Sequence, residues 1–205
     1  MSESELTARP ARPSRISLDV PRDERQAVAL KDIDELEAHE KQLLTTSWTQ
    51  LLKQRDQLGQ KIFIMIFEQC PEARELFPRF GSTASLTQMA KNDQFQAHAA
   101  RFMQVIESAV HSLERTVDLG PVTQNLGSIH ARLQETRGFQ PYVWSVFIEC
   151  TLFQFRKQLA KSSDDANQLD VSIIVWRALL RSIVKRMTRS FYERLEHPSP
   201  RKYTD

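Results

Sequence analysis

The stretch "NLGSIHARL", residues 125–133, places a histidine, His130, on the apolar side of a predicted helix. Leu126 lies four positions before His130 and Leu133 three positions after it, so the three side chains share one helical face. An imidazole on such a face has two interpretations. It is either a core histidine with hydrogen-bonded ring nitrogens or a ligand to a metal. The rest of the chain is needed to choose between them.

A second stretch, "FQAHAARF" at residues 95–102, places His98 in a similar setting. Phe95 lies three positions before His98 and Phe102 four positions after it, so this imidazole also shares a face with aromatic rings. Gly120 and Pro121 mark a break between the two stretches, which leaves room for one helix, a reversal and a second helix. Two inward-facing histidines on separate helices can therefore lie opposite each other across a slot.

Helical periodicity runs through most of the chain and predicts an all-α fold of six to eight helices. Asn92 or Asp93 is a candidate N-cap for the helix that contains His98, and Pro71 is suited to begin a short helix. Residues 77–90, with proline, glycine, serine and threonine, are predicted to form a loop, and residues 26–40 show only a partial apolar stripe. No hairpin signal, internal repeat or glycine-rich phosphate loop is found.

Composition bounds the class of protein. The 205 residues are 40% hydrophobic and 26% charged, which suits one globular domain with tails. A net charge of +2 gives no indication of a nucleic-acid partner. No apolar run reaches the roughly 18 residues of a membrane span, and the N-terminus lacks a signal-peptide core. With two cysteines, Cys70 and Cys150, the sequence predicts a cytoplasmic protein with free thiols.

We expect three segments along the chain. Residues 1–37 form an N-terminal extension that is disordered or partly helical, because residues 1–25 are rich in proline, serine and arginine. Residues 38–196 form the folded domain, and residues 197–205 form a C-terminal tail.

The chemistry of the two histidines favours one kind of metal. Zinc fits poorly, because the sequence has neither an HExxH nor a CxxC motif. Two imidazoles across an apolar slot suit an iron that already has four equatorial ligands, as in haem. Apolar side chains are available to line such a slot, although aromatic stripes alone are typical of an ordinary core: Phe63, Phe77, Phe102 and Leu126.

The ordered series of these features resembles the globin family over about residues 41–195. The matching features are Trp48 in the first helix, Phe63 and Phe67 in the second, Pro71 at the start of the third, Phe77 in "ELFPRF", His98, His130, and the stretches "GFQPYVWSVFIEC" and "VSIIVWRALL". Within this family the sequence is similar to the neuroglobin-like and nematode-type globins of animals, which often carry terminal extensions.

The resemblance implies a haem b cofactor with His130 as the proximal iron ligand. His98 then lies at the distal position, where it either binds iron as a sixth ligand or donates a hydrogen bond to bound gas. The six-coordinate resting state is favoured. Phe77 and Phe139 are expected to contact the porphyrin, and Arg101 is either a partner of a haem propionate or a solvated surface charge.

Further details of the pocket also follow from the resemblance. The second ring nitrogen of His130 is expected to bond to the Leu126 carbonyl or the Ser128 hydroxyl. Phe63 lacks the hydroxyl that a tyrosine would offer to bound O₂, and Phe102 is expected to make the pocket narrow. The segment after His130 is longer than is usual in globins, so three aromatic residues remain candidates for a haem contact: Tyr142, Trp144 and Phe147.

The implied function is reversible binding of O₂ or another diatomic gas, such as NO or CO. It would serve oxygen transport, gas sensing or redox signalling, with a redox or signalling protein as a possible partner. Two alternatives remain open. One is a haem-free helical interaction domain with globin-like packing, and the other is a haem enzyme such as an NO dioxygenase or a peroxidase.

Overall fold

The computed structural model describes residues 22–81, 85–114, 118–163 and 165–197. These residues form α-helices and two 3-10 helices, Ile33–Glu35 and Pro71–Leu76, without any β-strand among them. The predicted all-α class is confirmed. The α-helices are α1 (Arg22–Leu30), α2 (Ala38–Leu52), α3 (Arg55–Gln69), α4 (Leu86–Met89), α5 (Asp93–Glu114), α6 (Gly120–Arg137), α7 (Val143–Leu159) and α8 (Ala166–Glu196).

The ends of the helices follow from their capping residues. Asn92 caps α5, because its side-chain oxygen accepts hydrogen bonds from the backbone N–H groups of Gln94 and Phe95 at 2.9 and 3.2 Å. Gly138 ends α6 with a φ of 72°, a left-handed conformation that glycine adopts without strain. Pro71 begins its 3-10 helix, where its missing N–H has no helical partner to lose.

The segment 77–90 is not entirely a loop, and this part of the prediction was wrong. It contains the single turn of α4, whose N-cap Ser85 accepts a hydrogen bond from the backbone N–H of Gln88 at 3.2 Å. One helical turn is too short to show an apolar period, so the cap was the sole sequence signal.

Helices α6 and α8 make the most extensive helix pair of the fold. They approach closely at Gly127, where an added Cβ would lie 2.3 Å from the carbonyl oxygen of Met187 on α8. Because His130 follows Gly127 by less than one helical turn, this contact fixes the position of the histidine relative to α8. Nearer the start of α8, the buried Trp176 donates a hydrogen bond from Nε1 to Ser47 Oγ at 2.9 Å.

The segment that precedes α2 packs against α8, and Ile33 and Leu36 are buried in the main core. Asp32 anchors this segment by accepting hydrogen bonds from Ser182 Oγ at 2.6 Å and Lys185 Nζ at 3.1 Å. Partial burial by itself raises the pKa of Asp32, but these bonds and one from the Ile33 N–H outweigh it and lower the pKa to about 2. The boundary drawn at residue 38 stays a prediction.

Residues 1–21 and 198–205, which hold most of the predicted extension and tail, lie outside the described residues. Across the ranges that are described, no helix is both long enough and apolar enough to cross a membrane.

Candidate functional site

The wall formed by α3 and α5 holds His98 among aromatic rings. The centroid of the His98 ring lies 4.8 Å from that of Phe63 and 4.8 Å from that of Phe77, and both rings meet the imidazole edge to face. Phe80 lies slightly farther away, at 6.3 Å, and stacks on Phe77 at 5.0 Å. Packing of this kind restricts the imidazole without giving it a polar partner.

The His98 ring is half-buried, and no hydrogen bond joins it to any other described residue. Burial is the main cause that lowers its pKa to about 4, and electrostatic repulsion from Arg101 and from His130, when protonated, contributes to the same shift. At neutral pH the imidazole is therefore uncharged, so one of its nitrogens has a free lone pair.

Phe102 extends the aromatic lining toward α7. Its ring centroid lies 5.6 Å from that of Phe63 and 4.6 Å from that of Phe147, with the rings again nearly perpendicular. Phe63 and Phe147 are also in contact, at 6.4 Å between centroids, so these three phenylalanine rings form one apolar cluster next to His98. That the pocket is narrow stays a prediction.

On α6, His130 is held by a hydrogen bond. Its Nδ1 lies 2.8 Å from the carbonyl oxygen of Leu126, one turn earlier in the helix. Because a carbonyl can only accept, Nδ1 carries the proton and Nε2 keeps its lone pair. Of the two partners expected for this nitrogen, Leu126 is therefore the one found, and the Ser128 hydroxyl is not.

Aromatic rings also pack around His130. Phe139 lies 5.0 Å from it and Trp144 5.6 Å, measured between ring centroids, and Phe191 of α8 packs on Trp144 at 5.3 Å. Burial lowers the pKa of His130, against the opposing effect of the Leu126 hydrogen bond, so this ring is also neutral near pH 7.

The three aromatic candidates after His130 occupy different places. Trp144 is buried beside His130, whereas Phe147 lies beside Phe102 on the other wall. Tyr142 is exposed, and its hydroxyl donates a hydrogen bond to Glu72 Oε1 at 2.7 Å.

The structure brings together the apolar residues predicted from sequence: Phe63 and Phe77 around His98, Phe102 behind them, and Leu126 and Phe139 around His130. Arg101 is exposed, but its charge is close enough to affect His98. Sequence reasoning missed two rings, Phe80 and Phe191. Phe80 follows Phe77 by three residues in "LFPRF", which was a signal of a shared helical turn.

The donor set defines what the pocket can hold. Within the described part of the chain, no group of three or more histidine, cysteine, aspartate or glutamate side chains is placed to hold a metal ion. The two neutral imidazoles lie close enough for a charge on His130 to affect His98, and with apolar rings around both they would instead offer two nitrogen ligands. These residues fit an iron whose four equatorial ligands come from a flat apolar macrocycle, as in haem.

The family model described as Globin matches residues 60–187, which include both histidines. The chain belongs to the globin family. Among known proteins, this globin is 30% identical to globin-related protein glb-13 of Caenorhabditis elegans over 160 residues, which make up 77% of this chain and 53% of that protein. It is 26% identical to neuroglobin of Tetraodon nigroviridis over 130 residues, covering 63% of this chain and 79% of the relative.

The chain spans about half the length of the first relatives it matches, with 53% of the nematode protein and 52% of cytoglobin-1 of Oryzias latipes covered. Among solved structures, the fold resembles that of a hexacoordinated heme protein from an anhydrobiotic tardigrade. That match has a TM-score of 0.66 at 19% identity and covers 77% of this chain and 96% of the other.

Proposed function

We propose that this globin binds haem b, with His130 as the proximal iron ligand. One observation carries the proposal: the Nδ1–H of the neutral His130 ring donates a hydrogen bond to the Leu126 carbonyl. This leaves the lone pair of Nε2 available to bind iron. Phe139 and Trp144 pack beside the same ring and restrict its motion. Haem, when bound, supplies an iron that coordinates a diatomic gas.

His98 is the sixth ligand of the resting state in this proposal. Its ring is neutral at pH 7 and has no hydrogen-bond partner among the described residues, so nothing competes with iron for its lone pair. Phe63 and Phe77 both contact its ring edge to face and restrict its motion. The hexacoordinated heme protein of the tardigrade, which shares the fold, is consistent with this arrangement.

Gas binding then requires His98 to leave its resting position. Phe63, Phe77 and Phe102 offer no hydrogen bond, so the His98 imidazole, once displaced, would be the group available to donate one to a gas such as O₂. We propose reversible binding of O₂, NO or CO for gas sensing or redox signalling in the cytoplasm. The free, buried thiols of Cys70 and Cys150 fit such a reducing compartment.

Absorption spectra of the haem-loaded chain test both ligand assignments. We expect the ferrous wild type to show the split visible bands of a six-coordinate haem. His98→Leu removes the sixth ligand and gives a five-coordinate spectrum, while His130→Leu loses most of its haem on gel filtration. His111→Leu is the matched control, because His111 is exposed on the same helix as His98 and should leave the spectrum unchanged.

Three outcomes would contradict the proposal. A wild type that stays colourless after loading with excess haem would favour the haem-free interaction domain. An unchanged spectrum in His98→Leu would show that His98 is not an iron ligand. Full haem retention in His130→Leu would show that His130 is not the proximal ligand.

A further inference from the structure

The aromatic packing around His130 continues through the protein to its surface. Trp144 contacts the His130 ring, Phe191 contacts Trp144 at 5.3 Å, and Tyr192 contacts Phe191 at 5.1 Å between centroids. Tyr192 is 49% exposed, whereas Trp144 and Phe191 are buried. The four rings, which belong to α6, α7 and α8, contact one another in sequence from His130 to the half-exposed Tyr192.

Trp144 is placed so that it can relay an electron, because its oxidised state is not stabilised by the loss of a proton. Its indole Nε1 is buried and has no hydrogen-bond partner. An indole that loses one electron becomes a strong acid, and here no base lies within reach of the N–H to take the proton. The oxidised indole of Trp144 therefore keeps its proton and stays a strong oxidant. This favours transfer of an electron to it from a neighbouring group.

Tyr192 is the neighbouring group that can complete the step. A phenol that loses an electron also releases its proton, and the exposed hydroxyl of Tyr192 can deliver that proton to water. Phe191 is too hard to oxidise to be an intermediate of the electron path. Its ring nevertheless fills the space between Trp144 and Tyr192.

We propose that Trp144 and Tyr192 form an electron path between the proximal pocket and the surface, with Tyr192 as the point where an external one-electron donor supplies the electron. The proposal rests on the haem binding proposed above, and it names hydrogen peroxide as the oxidant. When no other donor is present, one H₂O₂ takes two electrons and two protons, its O–O bond breaks, and two water molecules form. The electrons and protons come from the phenols of two Tyr192 side chains on different copies of the chain, which then join through a carbon–carbon bond as dityrosine.

The chain offers matched controls for this path. Tyr142 is 51% exposed, much like Tyr192, but its hydroxyl is bonded to Glu72 and no described aromatic ring contacts it. Trp48 is a buried tryptophan whose Nε1 also lacks a partner, but its ring packs on Trp176 at 6.0 Å and makes no contact with His130.

The experiment treats the haem-loaded full chain with hydrogen peroxide and maps dityrosine by peptide mass spectrometry. We expect cross-links at Tyr192, no cross-links in Tyr192→Phe, and at least a fivefold lower yield in Trp144→Phe. The controls Tyr142→Phe and Trp48→Phe should cross-link like the wild type. The absorption spectrum before peroxide shows whether each variant carries haem, so failure of haem binding is distinguished from failure of the path.

A second measurement does not depend on the buried substitution. In Tyr192→Phe, whose change lies at the surface, rapid-freeze electron paramagnetic resonance should show a tryptophan radical in place of the tyrosyl radical of the wild type. Cross-links that map to Tyr142 or Tyr203, an unchanged yield in haem-loaded Trp144→Phe, or the absence of a tryptophan signal in Tyr192→Phe would each overturn the proposal.

Discussion

The wall that carries His98 and the wall that carries His130 hold their imidazoles by different means. His98 is restrained by the edges of Phe63 and Phe77 alone, whereas His130 also has a 2.8 Å hydrogen bond to a carbonyl of its own helix. Ring contacts resist displacement weakly and without direction, while a hydrogen bond to the backbone fixes the orientation of a ring. Under the proposed function, His98 is therefore the ligand that moves and His130 the ligand that stays.

The packing behind the two histidines also differs, and it is more rigid behind His130 than behind His98. The helix of His130 is locked to α8 at Gly127, and α8 is tied in turn to the segment before α2 through Asp32. Behind His98 lies a cluster of phenylalanine rings that can repack. The predictions below alter one wall at a time.

The largest effect is expected at the contact between α6 and α8. In Gly127→Ala the new Cβ would meet the Met187 carbonyl, a backbone atom that cannot turn away, so the helices must separate. We expect a loss of about 3 kcal/mol in the free energy of unfolding, measured by chemical denaturation. Ser128→Ala, one residue along, should be nearly neutral, and equal stability of the two variants would show that the close approach is unimportant.

Asp32 should account for the next largest effect, through its dependence on pH. Because its pKa falls from 3.8 in the unfolded chain to about 2 in the folded one, its contribution is present above about pH 4 and is lost as the pH falls through 2. We expect Asp32→Asn to lose about 2 kcal/mol of stability at pH 7 and less than about 0.5 kcal/mol relative to the wild type at pH 2. A constant difference between the two proteins across this range would contradict the assignment.

Phe63→Tyr changes the distal wall by adding a hydroxyl to a ring that already packs on His98. One new hydrogen bond to bound O₂ is worth about 1 kcal/mol, so O₂ should dissociate roughly five- to tenfold more slowly in stopped-flow measurements. The same change at Phe153, a ring that is 52% exposed on α7, serves as the control and should leave the rate unaltered. Identical rates in all three proteins would mean that residue 63 does not face the bound gas.

The smallest effect is expected from Arg101→Ala. Arg101 is exposed, so an ion pair with a haem propionate would contribute at most about 1 kcal/mol, or a fivefold faster loss of haem to an acceptor protein. That acceleration should shrink at high salt. If the rate of haem loss at low salt is the same in Arg101→Ala and the wild type, Arg101 is a solvated surface charge and not a partner of a propionate.

The fold and most of the pocket could be predicted because the informative residues repeat at helical spacing or punctuate helices. Asn92 and Gly120 marked helix ends, and His98 and His130 marked two facing stripes. The placement of Trp144 and Phe147 on opposite walls could not be predicted, since it depends on how α7 is rotated after a connection of unusual length. Likewise, the anchoring of Asp32 joins residues about 150 positions apart, and no local pattern reports such a contact.

The hydrogen bond between His130 and Leu126 has a consequence for assembly of the holoprotein. Because it forms within one helical turn, the imidazole is oriented as soon as α6 is folded, before any cofactor arrives. The entropy cost of ordering this ring is therefore part of the folding of the apoprotein. It does not reduce the free energy gained on cofactor binding. Capture from dilute solution should thus be limited by the opening of the pocket, with the proximal ring already preorganised.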